Sequence, residues 1–252
     1  FSFFATSEAI VQAGLVPKFI DVSIDDCNID VDQIENNITK KTGAILPVHL
    51  FGKSSNMNEI LSLATKYKLK IVEDTAQSFG TQYNNKFLGT IGDIGCFSFF
   101  PTKNITTTEG GMLTTNNKKR YEEIKKLIAH GINKDKKKFY WNRESELPGH
   151  NFRLPNHLAA LGISQLKRLK NLNNKRRKIA KIYDTFLLKF PDIFLKQKIK
   201  KKLTHSYQMY SFQCNKKYRN NLLHYLKKKN IEASAHFDPP LHLQKYLKRF
   251  AV

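Results

Sequence analysis

The chain has 252 residues, of which 40% are hydrophobic and 12% aromatic, and this composition excludes a disordered tail or a collagen-like repeat. At about 150 residues per domain, the length predicts one large domain with or without a smaller partner. No apolar run reaches the roughly 18–20 residues that cross a bilayer, and no signal peptide is visible, so no membrane association is expected. The three cysteines, Cys27, Cys96 and Cys214, are far apart. They predict neither a disulfide framework nor a metal site and favour the reducing cytoplasm.

The net charge of +22 is distributed unevenly along the chain. Residues 1–112 hold 9 Lys and Arg against 12 Asp and Glu, whereas residues 113–252 hold 34 against 9. A half this basic raises the hypothesis of a nucleic-acid- or polyanion-binding protein. Its aromatic residues, however, do not alternate with the basic ones as a stacking platform would. The pattern therefore favours a solvated surface and no nucleic-acid partner, with attraction of an anionic small substrate as a further possibility.

In the first half, short β-rich runs alternate with amphipathic helices. Helices are predicted over residues 6–15 and 56–69. Such alternation indicates parallel βαβ units, and hence an α/β fold with a mostly parallel central sheet flanked by helices. The predicted strands are Lys18–Val22, Ala44–His49, Lys70–Glu73, Cys96–Phe100 and Gly111–Thr115.

The second half is predominantly helical. Helices are predicted over residues 117–130, from Pro155 to Lys189, and over Arg219–Lys229, with one strand at residues 208–213. Pro155 is expected to be the first helical residue of the long helix. These patterns predict two domains. A large α/β domain is expected over residues 1–180, and a smaller α+β domain over residues 181–252.

Two segments carry residues suited to chemistry. Asp74 follows an apolar strand in Val72–Gln77 (VEDTAQ), and ligands of open α/β sheets bind where such strands end. Lys103 follows a second apolar strand, among hydroxyl residues in Phe97–Gly111 (FSFFPTKNITTTEGG). A lysine in a partly desolvated pocket has a lowered pKa and can form a Schiff base. An aspartate beside a pyridinium nitrogen keeps that nitrogen protonated, so that the ring can act as an electron sink.

These segments occur in an order that resembles the DegT/DnrJ/StrS-type sugar aminotransferases. The resemblance covers nearly the whole chain and implies a fold-type I enzyme dependent on pyridoxal 5′-phosphate (PLP). Such an enzyme transfers an amino group from glutamate to a nucleotide-diphosphate keto-sugar, for example in surface-polysaccharide biosynthesis. The strings that carry the resemblance are FFAT, AGLVPKFIDV, LPVHLFG, IVEDTAQSFG, GCFSFFPTKNITTTEGGML, HNFRLPNHLAALGISQL and IEASAHFDPPLHLQKYL.

The resemblance implies a role in cofactor binding for each of five residues. Lys103 corresponds to the Schiff-base lysine, which also moves the proton between cofactor C4′ and the sugar carbon. Asp74 corresponds to the partner of the pyridine nitrogen. Gln77 is expected near the phenolic oxygen of the ring, Ser98 at the phosphate, and Phe3 stacked on the ring face.

The resemblance also implies one further cofactor-binding residue, Asn151, and one substrate-binding residue, His236. Asn151 corresponds to a residue that reaches into the site of a neighbouring subunit, which implies a homodimer. His236 corresponds to a position in the small domain that faces the substrate. Taken without the resemblance, Phe3 is a core phenylalanine, Asn151 a loop or cap residue, and His49 either a packed or a pocket residue.

The chain also departs from the family pattern. It begins at Phe1 without the Gly-Ser/Thr helix start that binds the cofactor phosphate, so both domains are expected to be incomplete here. Phe79 stands where relatives often have histidine. Some members with histidine at the lysine position are dehydratases, and the presence of Lys103 favours transamination. A PLP-dependent dehydratase or a regulatory PLP-binding protein on the same fold remains the alternative.

Overall fold

The computed structural model describes residues 1–133, 139, 141, 144–195 and 204–250. Its helices are α1 (Ala5–Gln12), α2 (Val31–Ile34), α3 (Met57–Tyr67), α4 (Lys118–Leu127), α5 (Asn156–Leu187) and α6 (Lys216–Lys228). Its strands are β1 (Ala44–Ile45), β2 (Lys70–Asp74), β3 (Gln82–Tyr83), β4 (Lys86–Phe87), β5 (Ile94–Ser98), β6 (Gly111–Thr114), β7 (Phe194–Leu195) and β8 (Gln213–Cys214). Short 3₁₀ helices lie at Glu35–Asn37, Leu50–Gly52, Leu241–Leu243 and Lys248–Phe250.

A four-stranded sheet in the order β1-β2-β5-β6 forms the centre of the first half. Strands β1 and β2 are parallel, as are β2 and β5, whereas β6 is antiparallel to β5. The predicted α/β fold with a mostly parallel sheet is thus confirmed. Strand pairs β3–β4 and β7–β8 are short, antiparallel and separate from this sheet.

The main hydrophobic core lies between helix α3 and strands β1 and β2. Met57, Ile60 and Ala64 of α3 are buried there, because residues three and four apart share one helix face. The helix ends at Lys68, which is left-handed and whose backbone N–H binds the carbonyls of Ala64 and Thr65. This termination turns the chain directly into β2. The buried cluster comprises Ile34, Ile45, Met57, Ile60, Ala64, Leu69, Ile71 and Leu88.

Two glycines permit a loop to lie flat against β5. Gly89 has a φ of 84°, a left-handed conformation that favours glycine. A Cβ added to Gly95 would lie 2.1 Å from the carbonyl oxygen of Gly89. The hydroxyl of Thr114 on β6 donates to that same carbonyl. The loop after β4 is therefore held close to the strand that leads to Lys103.

Some predicted elements differ from the structure. Lys18–Val22 is not a strand, because only Val22 pairs, in an isolated antiparallel bridge with Ile29. Of residues 208–213, only Gln213 belongs to a strand. Pro155 is the N-cap of α5 and not its first helical residue.

Helix α5 runs without interruption through residue 180, where the large domain was predicted to end. The division into two domains stays a prediction. Within the described part of the chain, no helix is both long and apolar enough to cross a membrane.

Candidate active site

The carboxyl ends of three neighbouring chain segments meet at one edge of the central sheet. Asp74 is the last residue of β2 and lies opposite Cys96 of β5, and Ser98 ends β5 two residues further on. Val48 extends the line of β1 and forms a parallel bridge with Asp74. Parallel pairing thus places Asp74 and Ser98 at the edge where open α/β sheets bind ligands.

The carboxylate of Asp74 is held by two hydrogen bonds. The hydroxyl of Thr6, on helix α1, donates to Oδ2 at 2.7 Å. The backbone N–H of Ala76 donates to Oδ1 at 3.1 Å. The orientation of this carboxylate is therefore set by both its own loop and a segment 68 residues away.

The loop that carries Lys103 is anchored on both sides of the lysine. The Gln208 side-chain amide donates to the carbonyl of Thr102 at 2.8 Å. The buried Asn104 amide donates to Asn173 Oδ1 on helix α5 at 2.8 Å and to the Ser206 carbonyl at 3.1 Å. These contacts restrict the backbone at residues 102–104, which fixes the point from which the lysine side chain extends.

Burial alters the acidity of Lys103. Desolvation lowers the pKa of its ammonium group, and the negative charge of nearby Asp74 partly offsets that effect. A lysine with a lowered pKa is more often neutral near pH 7 and is then a nucleophile or a proton acceptor. The structure thus brings Lys103 and Asp74 into one electrostatic environment.

Gln77 connects the Asp74 loop to the loop after Val48. Its side-chain Oε1 accepts a 2.7 Å hydrogen bond from the backbone N–H of Phe51, which is left-handed at φ 55°. The Phe51 ring centroid lies 6.3 Å from those of His236 and Phe237. Gln77 and His236 are therefore linked through Phe51. Because Oε1 is already engaged, the Gln77 amide NH₂ is the group left to donate to a ligand.

Ser98, Phe3 and His236 have contacts of their own in this structure. Ser98 Oγ accepts from the backbone N–H of Phe100 at 3.3 Å. Phe3 is 46% exposed, and its ring centroid lies 3.9 Å from that of Phe4. The ring Nε2 of His236 lies 2.9 Å from Ser234 Oγ, and desolvation lowers the pKa of its imidazole.

Asn151 is not joined to this group of residues. It forms a β-bridge with Ala129, its side chain accepts from Arg153 Nε at 3.0 Å, and it is exposed. The neighbouring Phe152 is 70% exposed. Among the described residues, no hydrogen bond joins Asn151 to Asp74 or Lys103.

A buried His49–Glu73 pair supports the sheet edge from behind. Glu73 accepts from His49 Nε2 at 3.0 Å and from the backbone N–H groups of Gly89, Ile91 and Gly92 at 2.6–2.8 Å. Because His49 Nδ1 accepts from the Ser55 N–H, it is Nε2 that carries a proton and donates to Glu73. Burial raises the pKa of Glu73, but these hydrogen bonds outweigh it and leave the pKa lowered. His49, which the sequence left undecided, is a packed residue.

Sequence reasoning missed Thr6 and the polar segment at residues 204–208. The Ser/Thr content of residues 6–15 suggested only a helix start, whereas the Thr6 hydroxyl binds Asp74. Gln208 was assigned to a strand, but its amide anchors Thr102. Neither contact has a local sequence signal, because each partner lies far away along the chain.

Sequence and structure comparisons agree on the family. A sequence model of the DegT/DnrJ/EryC1/StrS aminotransferase family matches residues 1–251. The chain is 35% identical to a GDP-perosamine synthase of Escherichia coli O157:H7, over 98% of this chain and 67% of that protein. This chain therefore belongs to the DegT/DnrJ/EryC1/StrS aminotransferase family.

Solved structures agree with this assignment. The chain is similar to Helicobacter pylori PseC, an aminotransferase involved in the biosynthesis of pseudoaminic acid, at 32% identity and a TM-score of 0.90. That match covers 98% of this chain and 66% of PseC. The protein Spr1654 of Streptococcus pneumoniae, in its PLP form, matches at 26% identity and a TM-score of 0.90, over 100% of this chain and 68% of that one. The fold is thus that of the PLP-dependent aminotransferases, and the chain spans about two thirds of the length of the curated relatives it matches.

Proposed function

We propose that this chain carries the catalytic part of a PLP-dependent aminotransferase, which moves an amino group from glutamate to a nucleotide-diphosphate keto-sugar. The observation that carries the proposal is the pair of Asp74 and Lys103 at one sheet edge, with the pKa of Lys103 lowered by burial. Family membership and the relatives that act on sugars support the same reaction.

The donor set fits PLP. The cofactor has a ring nitrogen that needs an acceptor when protonated, an aldehyde that reacts with a neutral amine, and a phenolic oxygen that needs a donor. Asp74 supplies a carboxylate, Lys103 an amine of lowered pKa, and Gln77 an amide NH₂ whose oxygen is engaged elsewhere. When bound, PLP supplies the electron sink that stabilises negative charge at the carbon next to nitrogen.

Each residue of the chain then has a defined task. Lys103 would hold the cofactor through Nζ and, once released, move a proton between cofactor C4′ and the sugar carbon. Asp74 would accept the hydrogen bond from the ring nitrogen, and Ser98 would donate to the phosphate. Phe3 would lie against the ring face, for which its exposed ring is available.

The substrate and a second subunit would complete the site. His236, whose imidazole pKa is lowered by desolvation, would face the sugar. Asn151 would reach into the site of a partner subunit in a homodimer. Its exposure, and that of Phe152 beside it, is consistent with a surface that a second copy covers. The cytoplasm, which the three unpaired cysteines favour, is the proposed compartment.

The cofactor proposal is tested by spectroscopy. The purified full-length protein, incubated with PLP and freed of excess, should show a visible absorbance band that Lys103→Ala abolishes. Lys86→Ala, which removes an exposed lysine on β4, is the matched control and should keep the band. A colourless wild type, or a band that persists in Lys103→Ala, would refute the proposal.

The reaction and the dimer need a separate experiment. Incubation with ¹⁵N-glutamate should load the cofactor with ¹⁵N. After a nucleotide-diphosphate keto-sugar is added, mass spectrometry should find the label in an amino-sugar. A dehydratase or a regulatory PLP-binding protein would not transfer the label.

If Asn151 acts in the partner's site, mixing inactive Lys103→Ala with Asn151→Ala subunits should restore activity, because one site of each mixed dimer has both native residues. No recovery after verified exchange would contradict the role of Asn151.

A further inference from the structure

The hydroxyl of Thr6 has a long-range partner that its helix does not explain. It donates to Asp74 Oδ2 at 2.7 Å from the first turn of α1, and Ser2 Oγ lies 3.0 Å from Thr6 Oγ1. The next residue, Ser7, donates to the nearby carbonyl of Phe4 at 3.0 Å, which is the usual local use of a helical hydroxyl, and its Oγ also lies 3.4 Å from the Tyr246 hydroxyl. Ser2 is only 5% exposed, although serine is normally a surface residue. The buried Ser2 hydroxyl and the partly buried Thr6 hydroxyl thus form a hydrogen-bonded chain that ends at the Asp74 carboxylate.

The direction of these hydrogen bonds follows from the number of protons. An ionised carboxylate can only accept, so Thr6 must donate its single hydroxyl proton to Asp74. Thr6 Oγ1 can then only accept from Ser2, so Ser2 is the donor of the second bond. The two bonds run in the same direction, Ser2 to Thr6 to Asp74, and hydrogen bonds in such a chain strengthen one another.

We propose that Thr6 and Ser2 are positioning residues that hold the Asp74 carboxylate in a fixed orientation to accept a hydrogen bond from the ring nitrogen of PLP. The inference rests on the proposed function, in which Asp74 accepts a hydrogen bond from the protonated ring nitrogen. A carboxylate that accepts a hydrogen bond from a hydroxyl, as Oδ2 does from Thr6, is a weaker base and would draw the proton less strongly from the ring nitrogen. The same hydrogen bond also leaves a fixed set of lone pairs for the cofactor, because the carboxylate cannot rotate without breaking the bonds from Thr6 and Ala76.

The test uses the full-length protein and PLP labelled with ¹⁵N at the ring nitrogen. Thr6→Val removes the hydroxyl and keeps the shape, and Thr6→Ser keeps the hydroxyl. Thr65→Val is the matched control, since Thr65 is exposed and its hydroxyl donates to the Leu61 carbonyl within its own helix. Thr6→Val should weaken PLP binding about tenfold, as expected for a lost hydrogen bond to a charged group. It should also move the ¹⁵N resonance of bound PLP toward that of a neutral pyridine. Thr6→Ser and Thr65→Val should match the wild type.

Ser2→Ala tests the order of the hydrogen bonds from Ser2 to Thr6 to Asp74. It should shift the ¹⁵N resonance in the same direction as Thr6→Val but less, and it should have no additional effect in the Thr6→Val background, because Ser2 acts through Thr6. An unchanged resonance and affinity in Thr6→Val would overturn the inference, and so would an undiminished Ser2→Ala effect in that background. If Thr6→Val does not fold, Ser2→Ala alone decides, since an unchanged resonance in that variant also overturns it.

A further variant separates this inference from the proposed function. Asp74→Asn should shift the ¹⁵N resonance more strongly than either hydroxyl variant. If the wild type does not bind PLP, or if Asp74→Asn leaves the resonance unchanged, the proposed function itself fails. If the resonance depends on Asp74 but not on Thr6, only the positioning role fails.

Discussion

Glu73→Gln should destabilise the protein strongly, although it replaces a side chain by one of nearly equal shape. Glu73 is fully buried and accepts four hydrogen bonds, two at each oxygen. A glutamine must turn its NH₂ either toward His49 and Gly89 or toward Ile91 and Gly92, which are all donors. A change of tautomer in His49 does not remove this conflict. It would place the proton on Nδ1, which could then no longer accept the hydrogen bond from the Ser55 backbone N–H.

The magnitude follows from these conflicts. Each arrangement of the glutamine leaves about two buried donors without an acceptor. Each such donor costs about 1–3 kcal/mol of folding free energy. The free energy of unfolding should therefore fall by about 4 kcal/mol, and Tm by roughly 10 °C for a chain of this size. Urea denaturation followed by circular dichroism measures the change. Glu59→Gln, at an exposed position on α3, is the matched control and should change stability by less than about 0.5 kcal/mol.

The pH dependence gives a second measure of the same interaction. The pKa of Glu73 is lowered in the folded protein, so its stabilising effect is complete above the unfolded value of about 4.3. The effect is lost as pH falls through the lower folded pKa. The stability difference between the wild type and Glu73→Gln should therefore narrow below about pH 4. A difference under about 1 kcal/mol at pH 7, or one that does not narrow in acid, would refute the reasoning.

Three further predictions concern packing and titration. Gly95→Ala should lower stability by more than about 2 kcal/mol in urea denaturation, because its Cβ would lie 2.1 Å from the Gly89 carbonyl; Gly43→Ala, with no atom within 4 Å of its Cβ, should have little effect. Burial lowers the pKa of His205 to about 3, so the wild type should lose stability as pH falls from about 6.5. His205→Asn should flatten that slope by up to about 1.4 kcal/mol per pH unit, and an equal slope would contradict the shift. Burial also raises the pKa of Cys96 to about 11, so iodoacetamide at pH 8 should label it, by mass spectrometry, only after unfolding.

The sequence predicted well the elements whose side chains follow one clear period. Strand Lys70–Glu73 and helix 56–69 appear as β2 and α3, because an apolar run and a 3.6-residue period each match one burial pattern. Lys18–Val22 has the composition of a strand but pairs only at Val22, and composition does not say whether a neighbouring strand is available.

The segment at residues 208–213 was misassigned for a related reason. Its apolar and aromatic residues favour a strand, but Gln208 and the nearby Ser206 use their hydrogen-bonding groups to hold the loop around Lys103. Hydrogen bonds to distant partners decided its conformation, and no short-range pattern reports such partners.

The sequence by itself determined the family of this protein and the positions of Asp74 and Lys103, because both follow strands within motifs that retain their order along the chain. Only the tertiary structure decided what surrounds them. Thr6 reaches Asp74 across 68 residues, and Gln208 reaches Thr102 across 106. Such contacts depend on how helices and loops pack on the sheet edge, and packing brings together residues whose separation along the chain carries no signal.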